Sequence, residues 1–258
     1  MNKQLCSRFM LAIFISISLV ACKDKGKGEE KETKTDSLAT TPTDNSNNTA
    51  GMDAVTVAPN LYKTLADTLG IRMVEVNYAP GDSSAMHWHP DYAIYTAQGG
   101  KVTFYGKDGS SNEVTLPTGA TLIKPAEWHS AKNTGTNPIK VILVEVNRSG
   151  AMGTNDPATD ATKVSPELYS LKNDTLGIRV IEVNYKPGAS SKLHWHPDAT
   201  LYVIDAGKGE FTGKDGSKRV VDLQKGMAMI VPSDTHSVKN IGNTTMKAIL
   251  VEVNRAMK

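Results

Sequence analysis

The chain has 258 residues, 29 basic against 27 acidic, with 39% hydrophobic and 22% charged residues. This near-balance gives no electrostatic pull toward phosphate, so nucleic acid is not an expected partner. Two cysteines, Cys6 and Cys22, are too few for a disulfide scaffold, and the length suffices for two small domains.

At the N-terminus, Lys3 and Arg8 form a positive segment, residues 9–20 are apolar, and Leu19-Val20-Ala21-Cys22 sets small residues before a cysteine. This is the layout of a signal peptide, and the apolar run is shorter than the roughly 20 residues a spanning helix needs. The segment resembles a bacterial lipobox, which implies cleavage before Cys22 and lipidation of its thiol. Residues 1–21 are then a lipoprotein signal peptide. Loss of Lys3 and Arg8 leaves 27 basic and 27 acidic residues, and loss of Cys6 excludes a disulfide. Residues 22–52 carry alternating charges, then Ser, Thr, Asn and Asp with no apolar period, and are expected to be a disordered tether. Lysine rather than aspartate after Cys22 resembles the signal for export past the inner membrane. The expected location is the cell envelope, lipid-anchored at the outer membrane and facing the periplasm or the surface, with lipid as the only membrane contact.

Beyond the tether, residues 53–148 align without a gap with 160–255 at an offset of 107, and more than half the aligned positions are identical. A period this long is a domain rather than a solenoid unit. The expected organisation is a first domain at 53–148, a linker rich in Gly, Asn, Asp and Pro at 149–159, and a second domain at 160–258, the two supporting each other.

Each copy reads as all-β. Segments such as 71–78, 101–105 and 139–146 are short, rich in Val, Ile, Tyr and Phe, and bounded by turn residues. Asp108-Gly109 and Asp215-Gly216 predict tight hairpins, because glycine tolerates the positive φ such turns require. No stretch supports a long helix. About eight closely spaced strands per copy predict a barrel or jelly roll.

All six histidines fall in one duplicated pattern: His87-Trp88-His89 with His129, and His194-Trp195-His196 with His236. Alternation in a strand projects the two outer histidines together and the tryptophan away. His129 lies about 40 residues on and is expected to return beside them through closure of the sheet. Three neutral imidazoles then cap a divalent ion and leave positions open.

At these residues the chain resembles the cupins. Gly81 precedes His87-Trp88-His89-Pro90 by the five-residue gap of the first cupin motif, as Gly188 precedes His194-Trp195-His196-Pro197. Gly119, Pro125, His129 and Asn133 fit the second motif, as do Gly226, Pro232, His236 and Asn240. The resemblance implies two tandem cupin (jelly-roll) β-barrels after the signal peptide and tether. It also implies metal ligation by His87, His89 and His129 and by His194, His196 and His236, with one divalent ion per domain. Fe2+, Mn2+, Zn2+, Ni2+ and Cu2+ all remain open as its identity.

Two departures matter. The family's metal-binding Glu falls at Ala93 or Ile94 and at Thr200 or Leu201, so the sites are three-His; Glu127 and Asp234 replace a motif glycine. Three-His cupins include thiol, gentisate-type and diketone-cleaving dioxygenases that use ferrous iron. The resemblance therefore implies a metal-binding protein, placed at the envelope by its lipobox-like segment, and allows a non-haem iron or manganese oxygenase for a small chelating organic substrate. The alternative is a non-catalytic metal or small-ligand binding module. No catalytic residue is named, and the oligomeric state is open. Asp91 and Asp198 either refill the metal shell or cap turns, and Glu127 and Asp234 face the metal or solvent. Tyr95 and Tyr202 reach a substrate or fill the barrel, Trp88, Trp195 and Trp128 are expected in packing, and Asn133 and Asn240 orient a histidine or stabilise a turn.

Overall fold

The computed structural model describes residues 52–258; the signal peptide, Cys22 and residues 23–51 lie outside the described residues. The first repeat starts with one helical turn, α1 (Ala54–Val57), followed by nine strands: β1 (Tyr62–Thr68), β2 (Ile71–Tyr78), β3 (His87–His89), β4 (Asp91–Gln98), β5 (Gly100–Tyr105), β6 (Ser111–Leu116), β7 (Thr121–Lys124), β8 (Glu127–Asn133) and β9 (Ile139–Val146). The second repeats this as α2 (Ala161–Val164), β10 (Tyr169–Thr175), β11 (Ile178–Tyr185), β12 (His194–His196), β13 (Ala199–Asp205), β14 (Gly207–Gly213), β15 (Lys218–Leu223), β16 (Ala228–Val231), β17 (Asp234–Asn240) and β18 (Met246–Val253).

Each repeat holds a five-stranded and a four-stranded sheet, all antiparallel within the named strands. The orders are β1-β2-β9-β4-β7 with β3-β8-β5-β6, and β10-β11-β18-β13-β16 with β12-β17-β14-β15. The two sheets of the first repeat share one apolar interior, built from Val76, Tyr92 and Leu143 on one side and Val102 and Ala131 on the other. The expectation of a closed barrel is thereby corrected, because no sheet closes on itself: packing of apolar faces, not edge pairing, joins the sheets. Sheet closure is also not what brings the distant histidine back. β3 pairs directly with β8, so that His87 faces His129 across one register position, and β12 pairs with β17 to set His194 against His236.

The five-stranded sheets are buried on both faces. Val74 and Val76 of β2 point to their own repeat's interior, while Ile71 and Met73 join Val144, Ile178, Val180 and Val251 in a core shared by both repeats. That double burial explains the nearly continuous apolar run of β9, whereas β2 keeps Arg72, Glu75 and Asn77 among its apolar residues. Tyr95 and Tyr202 meet in this shared core with ring centroids 6.0 Å apart, so neither reaches a ligand cavity.

The repeats are clamped by two exchanged ion pairs. Arg148 donates to Asp198 at 2.6 Å, and Arg255 donates to Asp91 at 2.6 Å. Each arginine also secures a hairpin of its own repeat, since Arg148 Nε donates to the Leu69 carbonyl at 2.7 Å and Arg255 Nε to that of Leu176 at 2.6 Å. Those hairpins need support. Leu69 and Leu176 sit at φ of 53° and 55°, a region a leucine adopts only under constraint. Residues 149–159 run along the second repeat, where Gly153 N–H donates to the Asn254 carbonyl at 2.8 Å.

Candidate metal centres

His87 and His89 project from one face of β3 into the interior with the half-buried Trp88 between them on the other face. His129 on β8 completes the group, and the ligand atoms of the three lie within 4.8 Å of one another. His194, His196 and His236 form the second group within the same limit. The structure therefore brings together all six histidines singled out by the sequence, as one triad per repeat.

Their hydrogen bonds set which ring nitrogens are free. His87 Nδ1 donates to the Ala85 carbonyl at 2.8 Å and His194 Nδ1 to that of Lys192 at 2.7 Å. His89 Nδ1 donates to Glu145 Oε1 at 2.6 Å, and His196 Nδ1 to Glu252 Oε1 at 2.6 Å. The opposite nitrogen, Nε2, is thus the bare one in these four rings. His89 Nε2 is fully buried without a hydrogen-bond partner among the described residues, as is His129 Nδ1. A buried, unpartnered imidazole nitrogen is costly unless a ligand takes its lone pair. Burial lowers the pKa of His87 to about 4 and, aided by His196, that of His194 to about 3; it lowers those of His129 and His236 as well. Neutral rings are the form that ligates a divalent ion, so the donor set fits one.

Glu145 and Glu252 are the residues that sequence reasoning missed. Both are completely buried, on β9 and β18. Glu145 Oε2 accepts from Arg72 Nε at 2.6 Å, and Arg72 also pairs with Asp53. In the second repeat Glu252 Oε2 accepts from Arg179 at 2.5 Å, and Arg179 donates to Asp160 at 2.8 Å. Each triad is thus anchored by a relay of carboxylate, guanidinium, carboxylate and imidazole that fixes the ring's tautomer and aim. The signal was the recurrence of a glutamate inside the apolar segment ILVEVNR.

The candidate carboxylates divide differently. Asp91 and Asp198 cap turns, each accepting a backbone N–H at 2.7 Å, from Ala126 and Ser233, and spend their second oxygen on the inter-repeat clamp. Of the two readings left open for it, Glu127 takes the inward one. Tyr92 donates to it at 2.6 Å, Lys124 pairs with it at 3.0 Å, and His129 Nδ1 lies 3.3 Å away, too poorly aligned for a hydrogen bond. Burial alone raises its pKa, but these neighbours outweigh that and bring it to about 2. Asp234 is more exposed and accepts from His236 Nδ1 at 3.0 Å. Asn133 and Asn240 orient no histidine: their amides bind the carbonyls of Tyr78 and Tyr185 at 3.1 and 2.9 Å. Of the positions open to the motif Glu, Ile94 and Leu201 pack toward the interiors, whereas Ala93 joins the core between the repeats.

The two centres open onto different surroundings. In the first repeat a cavity of about 400 Å³ has His89, His129, Tyr92 and Glu127 at one end and Val76, Ile94, Val102 and Leu143 along its walls. Trp128 lines it too, with the Lys107 ammonium 3.3 Å above its ring, a cation–π contact rather than simple strand packing. In the second repeat His236 opens onto a shallower, more polar pocket of about 740 Å³ with Lys214, Lys218 and Arg219. At the 107-residue offset, Tyr92 and Trp128 become Ala199 and Thr235, while Ser111 and Asn112 become Lys218 and Arg219.

The family described as "Cupin domain" matches the sequence twice, at residues 74–145 and 181–252, together more than half of the chain. None of the curated proteins matches it. Among solved structures, a two-residue deletion mutant of Bacillus subtilis oxalate decarboxylase superposes with a TM-score of 0.53 at 16% identity, over 73% of this chain and 70% of that one. AerE from Microcystis aeruginosa superposes with a TM-score of 0.52 at 16% identity, over 75% of this chain and 97% of that one. At these identities the likeness is one of fold.

Proposed function

We propose, on the premise that this chain belongs to the cupin family, that it is a two-site metal protein whose first domain takes a small, largely apolar organic molecule against the metal. The observation that carries this reading is the first-domain cavity, whose wall is mostly hydrocarbon, with polar groups at the histidines and at Ser110, Ser111, Asn112 and Lys124. His87, His89 and His129 hold one divalent ion there, and His194, His196 and His236 hold another. A bound ion supplies Lewis acidity and, for iron or manganese, one-electron chemistry. The protein's own groups do the rest. Glu145 keeps His89 aimed with Nε2 bare, the aliphatic walls exclude water, and the Tyr92–Glu127 pair sets the polar edge against which a ligand is oriented.

The Bacillus subtilis neighbour is an oxalate decarboxylase with Mn(II) centres. Oxalate suits the first cavity here poorly. Apart from the metal itself, a small dianion there meets one cation, Lys124, already paired with Glu127, and it leaves most of the hydrocarbon wall unfilled. A ligand with an apolar body and a chelating pair of oxygens fits better. The open second pocket, where Lys214, Lys218 and Arg219 stand beside Asp215 and Asp234, suits a more polar ligand instead.

Oxygenase turnover is the enzymatic form of this proposal. A non-catalytic binding module is the second reading, favoured by the mutual engagement of Tyr92, Glu127 and Lys124, which leaves none of the three idle for proton transfer. The test is oxygen uptake by the iron(II)-loaded protein with catechols, diketones and thiols, alongside equilibrium dialysis of the same compounds. Uptake with a retained compound establishes the enzyme, retention without uptake establishes the binder, and neither overturns the ligand assignment.

The envelope location is likewise a proposal, supported by the pattern from Lys3 to Cys22. Among the described residues no helix is long and apolar enough to cross a membrane.

A further inference from the structure

In each domain one histidine of the triad already has a partner on its bare nitrogen. The carbonyls of Ala85 and Lys192 can only accept, so His87 and His194 carry their protons on Nδ1 and present Nε2 as a lone pair. The phenol oxygen of Tyr62 stands 3.2 Å from His87 Nε2, and that of Tyr169 stands 3.0 Å from His194 Nε2. Each phenol is held from behind by a second one: Tyr62 contacts Tyr78 oxygen to oxygen at 3.0 Å, and Tyr169 contacts Tyr185 at 2.7 Å. All four rings are buried, and Tyr62 and Tyr169 occupy the same place in the two repeats, on β1 and β10.

We propose that the phenol oxygens of Tyr62 and Tyr169 are the fourth protein donors to the metal, standing in for the carboxylate that the cupin motif lacks in this chain. The proposal rests on the metal reading above. Two donors bound about 2.1 Å from one ion, at right or tetrahedral angles, lie roughly 3.0–3.4 Å apart, and the two phenol-to-Nε2 distances, 3.2 and 3.0 Å, match that spacing. Other nearby oxygens are committed elsewhere. Glu145 and Glu252 hold a histidine and an arginine, Glu127 holds Tyr92 and Lys124, and Ile94 and Leu201 offer no oxygen.

The experiment turns on the sign of an affinity change. Cobalt(II) is titrated into the full chain, with the other domain's triad disabled by His→Ala substitution, and binding is read by calorimetry and visible absorption. If the phenol is a donor, Tyr62→Phe and Tyr169→Phe each weaken cobalt in their own domain tenfold or more and change its absorption bands. If the phenol merely competes for Nε2, its removal tightens cobalt, and that result, or no change, overturns the proposal. Should a Phe variant not fold, the unsubstituted protein decides: strongly shifted proton resonances of the cobalt form that vanish on ring-deuteration of tyrosine support the proposal, and an unaltered set overturns it. Absence of cobalt from the unsubstituted protein overturns the metal reading itself and the proposal with it.

Discussion

Arg148 of the first repeat donates to Asp198 of the second at 2.6 Å, with the arginine side chain 4% exposed, and Arg255 and Asp91 return the same bond in the opposite direction. Asp91 and Asp198 each stand two residues beyond a triad histidine, so the clamp that joins the repeats starts at the edges of both metal centres.

Removing one partner of such a pair leaves the other largely desolvated. Arg148→Ala also frees the Leu69 carbonyl, and the expected destabilisation is about 3 kcal/mol. Asp198→Ala is expected to act less strongly, because the aspartate is more exposed. In denaturant unfolding, the double variant should fall short of the sum of the singles by about 1 kcal/mol or more. Strict additivity would mean that the two residues do not interact.

Two triads predict close to two divalent ions per chain after equilibration with Mn2+, Fe2+ or Zn2+, measured by elemental analysis. His87→Ala/His89→Ala should bind one, and adding His194→Ala/His196→Ala should abolish binding. Retention of two ions by the first variant would place a metal outside the histidine groups.

Glu145→Gln keeps the shape of the side chain but removes the charge that orients His89 and pairs with Arg72. The expected loss in metal affinity at the first centre is roughly 10–100-fold, with the second centre unchanged, as read by calorimetric titration. An unchanged first-site affinity would reduce Glu145 to a structural ion pair.

The orientation of β4 separates two substitutions one residue apart. Ile94→Glu is expected to place a carboxylate at the first centre and tighten metal binding, while Ala93→Glu buries a charge in the core between the repeats and destabilises the protein by roughly 3 kcal/mol or more. Metal dialysis and thermal melting read the two effects. Equal behaviour of the two variants would contradict the strand's facing.

Cys22→Ser is expected to move the protein from the membrane fraction to uncleaved or mislocalised precursor, checked by fractionation of the native host and by mass analysis of the mature N-terminus. An unlipidated, soluble chain beginning at Met1 in the unsubstituted protein would refute the lipoprotein reading.

Much of the centre was legible because its signals are local and duplicated. Residue alternation alone puts His87 and His89 on one side of Trp88, and the 107-residue offset ties each feature to a second copy. The strands at Ile71–Tyr78 and Ile139–Val146 were equally visible in their β-branched composition. Legibility ended where both faces of a strand are buried. In β9 the residues on either side of Glu145 are apolar whichever sheet face they meet, so periodicity could not reveal that this carboxylate turns inward to His89. Between Ala93 and Ile94 the motif spacing was ambiguous, and only the packing of one residue between the repeats and the other into the interior separated them. Sequence alone left Tyr95 and Asp91 open between a site role and a structural one, and the second repeat claims both, through Tyr202 and Arg255. The amino-acid pattern thus determined which residue types recur and which strand neighbours share a face. The packing of one repeat on the other decided which of those faces is a ligand cavity and which an interface, since that depends on contacts between residues far apart in the chain.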